Sequence, residues 1–227
     1  MTGNARAHKV ACIDCVFTED CTEWCPVGLN KCSVFMKGLI MRQLLKIVFG
    51  ILVSLAVISC TTEMPESYQP LPKSVQITPF SLYDQDGETI TVDTFKGHWS
   101  LAFFGYTYCP DVCPTTLAEI NQAAKQITKE DLQVVLISVD PERDTPKQLK
   151  SYIEYFNPKF QAWSGEKSQL EAIGRQLHIF FQKSGEGEYY LMDHSSQVVL
   201  INPQGEYQGY FTSPLNPAEM AGYINSL

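Results

Sequence analysis

From residue 75 onward, apolar positions fall into runs and stripes that predict a regular series of elements. The continuous apolar run within "HWSLAFFGYTY" (98–108) predicts a strand buried on both faces. In "PTTLAEINQAAKQITKE" (114–130), Leu117, Ile120, Ala124 and Ile127 are spaced three, four and three apart, the stripe of an amphipathic helix. A second buried strand follows in "LQVVLISV" (132–139). "TPKQLKSYIEYF" (145–156) opens with Thr145 as a cap, Pro146 at the first helical position and Gln148 where a capping-box partner belongs. A third helix, with Leu170, Ile173 and Leu177 on one face, is predicted within 166–181 and runs into a further strand. "SSQVVLINPQGEYQGYF" (195–211) predicts a β-hairpin around the Asn202–Gly205 turn. In "NPAEMAGYINSL" (216–227) the start signal repeats: Asn216 caps, Pro217 takes the first turn and Glu219 stands three past the cap.

The predicted order is β-α-β-α, then a further helix, a hairpin and a terminal helix. That order describes one α/β domain over 75–227, a thioredoxin-like fold with an inserted helix and a β-hairpin. No internal repeat is visible.

The first 74 residues follow another pattern. "MRQLLKIVFGILVSLAVISC" (41–60) reads as an export segment, with Arg42 and Lys46 before the apolar run Ile47–Ile58. That run is well short of the roughly 20 residues a spanning helix needs. It ends in small residues before a cysteine, like a bacterial lipoprotein cleavage box, so Cys60 is the expected lipidation site. On either a lipid or an uncleaved anchor, the domain faces away from the cytoplasm in the cell envelope. Residues 1–40 hold Cys12, Cys15, Cys21, Cys25 and Cys32 at spacings that do not make two clean metal-binding pairs. They read as an over-extended start or a discarded segment, with translation beginning at Met36 or Met41. The Pro-, Ser- and Thr-rich stretch 61–74 reads as a flexible tether, with a reach of roughly 45 Å when extended.

Charge divides the chain at the same place. Residues 1–59 carry 6 Lys and Arg against 4 Asp and Glu, whereas the rest carries 11 against 21. No basic stripe follows Cys60, which argues against nucleic-acid binding. The acidity itself is read as solubility, with a basic docking partner as the alternative.

The chemistry concentrates in "YTYCPDVCPTT" (106–116), where Cys109 and Cys113 have three residues between them and stand between a buried strand and a helix. Pro114 lacks an N–H and its ring opposes a helix through 110–113, so the sequence predicts a stiffened loop opening at a helix N-terminus. The positive end of that helix is expected to favour thiolates. Two soft thiolates on a pre-set loop suit Cu(I). An oxidising compartment also permits a plain disulfide, although such bridges usually join distant segments. A copper site needs a third ligand, and three histidines follow Cys60. His98 reads as a surface residue and His178 as late in a helix. His194, in "MDHSSQ" just before a strand, lies in the loop that a thioredoxin-like fold packs against the cysteine loop.

Together "GYTYCPDVCPTTL", "VDPERDTP" (139–146) and "DHSSQVVLINPQG" (193–205) resemble the SCO/SenC family of copper-delivery proteins, from about residue 75 to the C-terminus. The resemblance implies a copper chaperone rather than an enzyme. It implies copper held by Cys109, Cys113 and His194, and delivery to the binuclear copper centre of cytochrome c oxidase. The partner it implies is the subunit carrying that centre; other periplasmic copper carriers and thioredoxin-like reductants are compatible with it. Tyr108 stands where many members have His, and Asp193–His194 stands where thioredoxins place a proline. Asp111 reads either as a charge partner for the metal or as a turn residue. Asp140 and Arg143 read as structural support, and Asp144 and Thr145 as caps of the next helix. The rival reading is a thiol-disulfide oxidoreductase that keeps a client's copper-site cysteines reduced. It uses Cys109 and Cys113 as a redox pair and does not need His194.

Overall fold

Two strands without a polar face organise the domain. β4 (Trp99–Gly105) and β5 (Leu132–Ser138) are buried at every position but the first, and they pair in parallel from Trp99↔Leu132 to Gly105↔Ser138. Such strands need cover on both sides, and the helical segments supply it. The computed structural model describes residues 41–42 and 46–47, which are helical, and residues 64–227. The chain separates into two units, Met1–Thr61 and Thr62–Leu227, and the second carries every element named below. Cys60, the five upstream cysteines and most of the export segment lie outside the described residues.

The other strands are β1 (Tyr68–Gln76), β2 (Leu82–Asp84), β3 (Thr89–Ile90), β6 (Gln161–Ser164), β7 (Phe181–Ser184), β8 (Leu191–His194), β9 (Val198–Ile201) and β10 (Glu206–Phe211). The helices are α1 (Val112–Ala124), α2 (Pro146–Phe156), α3 (Lys167–Gln176) and α4 (Pro217–Ser226). Eight strands form one sheet in the order β1-β10-β9-β4-β5-β6-β2-β3, while β7 and β8 pair separately. β4, β5 and β6 are parallel and joined through α1 and α2, as the β-α-β-α reading requires. Leu117 and Ile120 of α1 are fully buried, each contributing about 1.5–3 kcal/mol relative to exposure.

The start signals are made as read. Thr145 Oγ1 accepts from Gln148 N–H at 3.3 Å while Gln148 Oε1 accepts from Thr145 N–H at 3.1 Å. Asn216 Oδ1 accepts from the amides of Ala218 and Glu219. The hairpin expected over 195–211 is β9–β10, and Gly205 turns it with φ 77°.

Four expectations need correction. α1 begins at Val112 rather than 114 and ends at Ala124 rather than 130. Pro114 is its third residue, where the missing N–H has no intrahelical partner in any case, so the proline is tolerated there. The tether expected over 61–74 gives way to a strand at Tyr68, because Tyr68 is buried between the rings of Phe211 and Tyr223, at 4.8 and 4.4 Å. Pro70 and Pro72 hid this strand, yet β1 is at the sheet edge, where proline is accommodated. His178 is not in a helix: it is exposed just past α3, with φ 57°. Asp144 does not cap α2; it is fully buried and bonds elsewhere, as described below. β2, β3 and β6, of two to four residues each, have too short a pattern to register as strands.

Candidate metal centre

β4 ends at Gly105, and the chain crosses residues 106–111 before α1 begins. Cys113 is the second residue of α1 and has no solvent exposure, whereas Cys109, in the loop, is partly exposed. The two remain free thiols, linked by the Cys113 N–H donating to Cys109 Sγ at 3.4 Å. Cys109 thus satisfies one of the amides that a helix leaves open at its start, a role the sequence reading assigned to no residue.

Gly105 makes room for this arrangement. A Cβ there would stand 2.9 Å from Cys113 Sγ and 3.0 Å from the Phe103 ring. This close approach, which no spacing reveals, is why the motif has glycine here.

His194 closes the group from β8. Its Nε2 lies 3.4 Å from Cys113 Sγ, and its Nδ1 lies 3.0 Å from the Ser195 carbonyl. A carbonyl only accepts, so Nδ1 carries the proton and the Nε2 lone pair faces the sulfur. The rings of Phe103 and Tyr106 meet the imidazole edge-on, with centroids 6.0 and 5.9 Å away. Burial holds the imidazole below its ordinary pKa, which keeps Nε2 free of a proton. The ligand atoms of Cys109, Cys113 and His194 all lie within 4.8 Å of one another.

The electrostatics differ from expectation at Cys113. The helix start was expected to favour a thiolate, but burial pushes this thiol well above its usual range, and Cys109 adds to the effect. Desolvation of a fully enclosed sulfur outweighs the partial charge of a helix end. A soft metal cation facing that sulfur would reverse the balance.

The remaining candidates divide. Asp111 sits at the cap position of α1, exposed, and only its carbonyl is used, accepting from Thr115 N–H and Oγ1. Its carboxylate is not in the ligand group. Asp140 is buried and pairs with Arg143 Nε at 2.5 Å, consistent with support. Asp144 accepts from Thr107 N–H at 3.1 Å, Thr107 Oγ1 at 2.6 Å and Ser138 Oγ at 2.6 Å. Burial raises its carboxyl pKa despite these bonds. It ties down the segment two residues before Cys109. Tyr108 is exposed and accepts from Gln148 Nε2 at 3.0 Å, making no part of the ligand group. His98 is exposed, as read.

Among the described residues no helix is long and apolar enough to cross a membrane. Residues 69–227 match the family described as SCO1/SenC. A putative copper-binding protein of Stutzerimonas stutzeri is 40% identical over 149 residues, covering 64% of this chain and 73% of that protein. The copper-bound structure of Bradyrhizobium japonicum ScoI is 34% identical, with a TM-score of 0.62, over 67% of this chain and 99% of that one. BsSco, described as a Sco-family cytochrome c oxidase assembly protein with a disulfide switch, is 25% identical with a TM-score of 0.57, over 72% and 96%. With a family match running from the first strand to the last residue, and a thioredoxin-like fold shared with solved Sco proteins, this chain belongs to the SCO1/SenC family.

Proposed function

We propose that this protein is a copper chaperone that carries the ion on Cys109 Sγ, Cys113 Sγ and His194 Nε2 and delivers it to the binuclear copper centre of cytochrome c oxidase. The observation that carries the reading is the convergence of these three atoms, from a loop, a helix start and a separate hairpin, within 4.8 Å. Two sulfurs and an imidazole suit copper as cargo. Cys109 and His194 are partly exposed while Cys113 is enclosed, so the group has a closed side and an open one. An incoming ligand enters at the open side and takes the ion by exchange. The copper-bound ScoI relative and the copper-binding protein of S. stutzeri support the cargo, and the oxidase-assembly role of BsSco supports the recipient.

The test is a copper titration of the reduced protein beside a redox titration of the same sample, for wild type and His194→Ala. The chaperone reading expects copper binding to collapse in the variant while the dithiol still oxidises and reduces. Intact copper affinity with lost reducing activity would overturn it.

A second reading, a thiol-disulfide oxidoreductase acting on the client's copper-site cysteines, is favoured by the two adjacent free thiols and by the disulfide switch of BsSco. It predicts that a client oxidase regains its copper centre in reductant without His194.

Anchoring belongs to the same proposal. Lipidation at Cys60 would hold the domain on the extracytoplasmic face of the envelope. Cys60→Ser should then yield a larger, unprocessed or mislocalised protein, and an unchanged mature mass would sink the lipid anchor. A chain starting at Met41 should complement a deletion as well as the full reading frame does.

A further inference from the structure

The hairpin that carries His194 has few buried residues of its own, with Phe181 and Met192 only partly buried against the core. From Phe181 to Gln197 only Tyr190 is buried. Its hydroxyl donates to Asp140 Oδ1 at 2.7 Å, and its carbonyl accepts from Arg143 Nη1 at 3.0 Å. The Arg143 guanidinium carbon lies 3.6 Å from the Tyr190 ring centroid, 4.8 Å from that of Tyr108 and 5.8 Å from that of Tyr106. Asp140 Oδ2 fixes the same guanidinium through Nε at 2.5 Å. Tyr106 and Tyr108 lead into Cys109, and Tyr190 precedes His194 by four residues. One cation therefore faces both halves of the metal centre while contributing no ligand atom to it.

We propose that Arg143 is a positioning residue of the metal centre. With Asp140 and Tyr190 it latches the β7–β8 hairpin against the segment before Cys109, and so sets where His194 Nε2 stands over Cys113 Sγ. The side chain has to be arginine, because a planar guanidinium stacks on a ring while its fork bonds a carboxylate and a carbonyl at once. Lysine offers a charge without the plane. This inference rests on the reading of Cys109, Cys113 and His194 as copper ligands.

The experiment compares the full-length protein in detergent, fully reduced, as wild type, Arg143→Met, Arg143→Lys and His194→Ala. Three quantities are read: Cu(I) affinity by chelator competition, the sulfur-to-copper absorption of the Cu(II) form, and the alkylation rate of Cys113 without metal. Both Arg143 variants should lose roughly 10–100-fold in affinity, the usual effect of removing a partner that orients a ligand. Their absorption should move toward that of His194→Ala. Cys113, which has no exposed surface and has His194 3.4 Å away, should alkylate faster once the hairpin is unlatched.

Folded variants with wild-type affinity, spectrum and alkylation rate would overturn the latch. So would a loss of affinity without change in spectrum or alkylation, since that marks a general loss of stability. If Arg143→Met and Arg143→Lys do not fold, Tyr190→Phe decides, because it keeps the buried ring and removes only the hydroxyl that bonds Asp140 at 2.7 Å and reaches Glu142 Oε2 at 3.4 Å. It should shift all three readouts in the same direction, and wild-type behaviour in it overturns the proposal. A wild type that binds no copper refutes the ligand reading instead, and the alkylation rates then judge the latch by themselves.

Discussion

The two halves of the metal centre are supported in opposite ways. The cysteine half grows out of the core: Cys113 has no exposure, lies one turn before the buried Leu117, and packs against the end of the buried strand β4. The histidine half hangs on β7–β8, a separate two-stranded sheet whose residues are mostly exposed, and the one buried side chain of the hairpin, Tyr190, lies in the connection just before β8. A rigid half presets the two sulfurs, while the other half meets it through the partly buried Phe181 and Met192, the rings beside His194 and the polar contacts of Tyr190. Substitutions on the two sides should therefore separate stability from copper binding.

The largest effect should come from the core beneath the cysteines. Leu117→Ala should cost about 2–5 kcal/mol of stability, read by chemical denaturation, through the cavity it leaves. Copper bound by the folded fraction should keep its wild-type absorption spectrum. On the other side, His194→Ala should weaken copper by more than about 100-fold, beyond the usual effect of an orienting partner. Its stability should fall by only about 1 kcal/mol or less, because β8 contributes little buried surface. If His194→Ala unfolds the domain as readily as Leu117→Ala does, the two halves are not separately supported.

Gly105→Ala joins the two measurements. The added methyl would meet Cys113 Sγ at 2.9 Å, so stability should drop by about 1–3 kcal/mol from overpacking. Copper affinity should fall with it, because the displaced atom is one of the three proposed to hold the ion. Unchanged affinity in a destabilised Gly105→Ala protein would show that the sulfur need not sit so close to the strand.

The smallest effect is the pH dependence of the metal-free protein. Burial raises the folded Cys113 thiol above its unfolded value, so the folded state keeps a proton that the unfolded chain releases. Stability from this group is present below about pH 8.5 and is lost as pH rises beyond it. Burial lowers the folded His194 value, so its contribution is present above about pH 6.5 and is lost as pH falls below that. Each slope is at most about 1.4 kcal/mol per pH unit. Denaturation across pH should show the alkaline slope diminished in Cys113→Ala and the acid slope diminished in His194→Ala. A slope that survives its own substitution belongs to another group.

Local pattern determined much of this protein. Continuous apolar runs marked β4 and β5, helical spacing marked α1 and α3, and the Thr145–Gln148 and Asn216–Glu219 signals marked the starts of α2 and α4, since each depends on neighbours within a few residues. Cys109, Cys113 and His194 were legible from residue type, spacing and the family motifs. Only tertiary structure decided the rest. β1 exists because Tyr68 finds Phe211 and Tyr223, more than 140 residues away in sequence. Asp144 leaves its expected cap to bond Thr107, and Gly105 is needed only because Cys113 returns to it from the next element. Arg143 meets Tyr190 across a fold that no local pattern records. Burial, too, set the direction in which Cys113 shifts, because enclosure depends on every element packed around the sulfur and the helix-end charge on one alone.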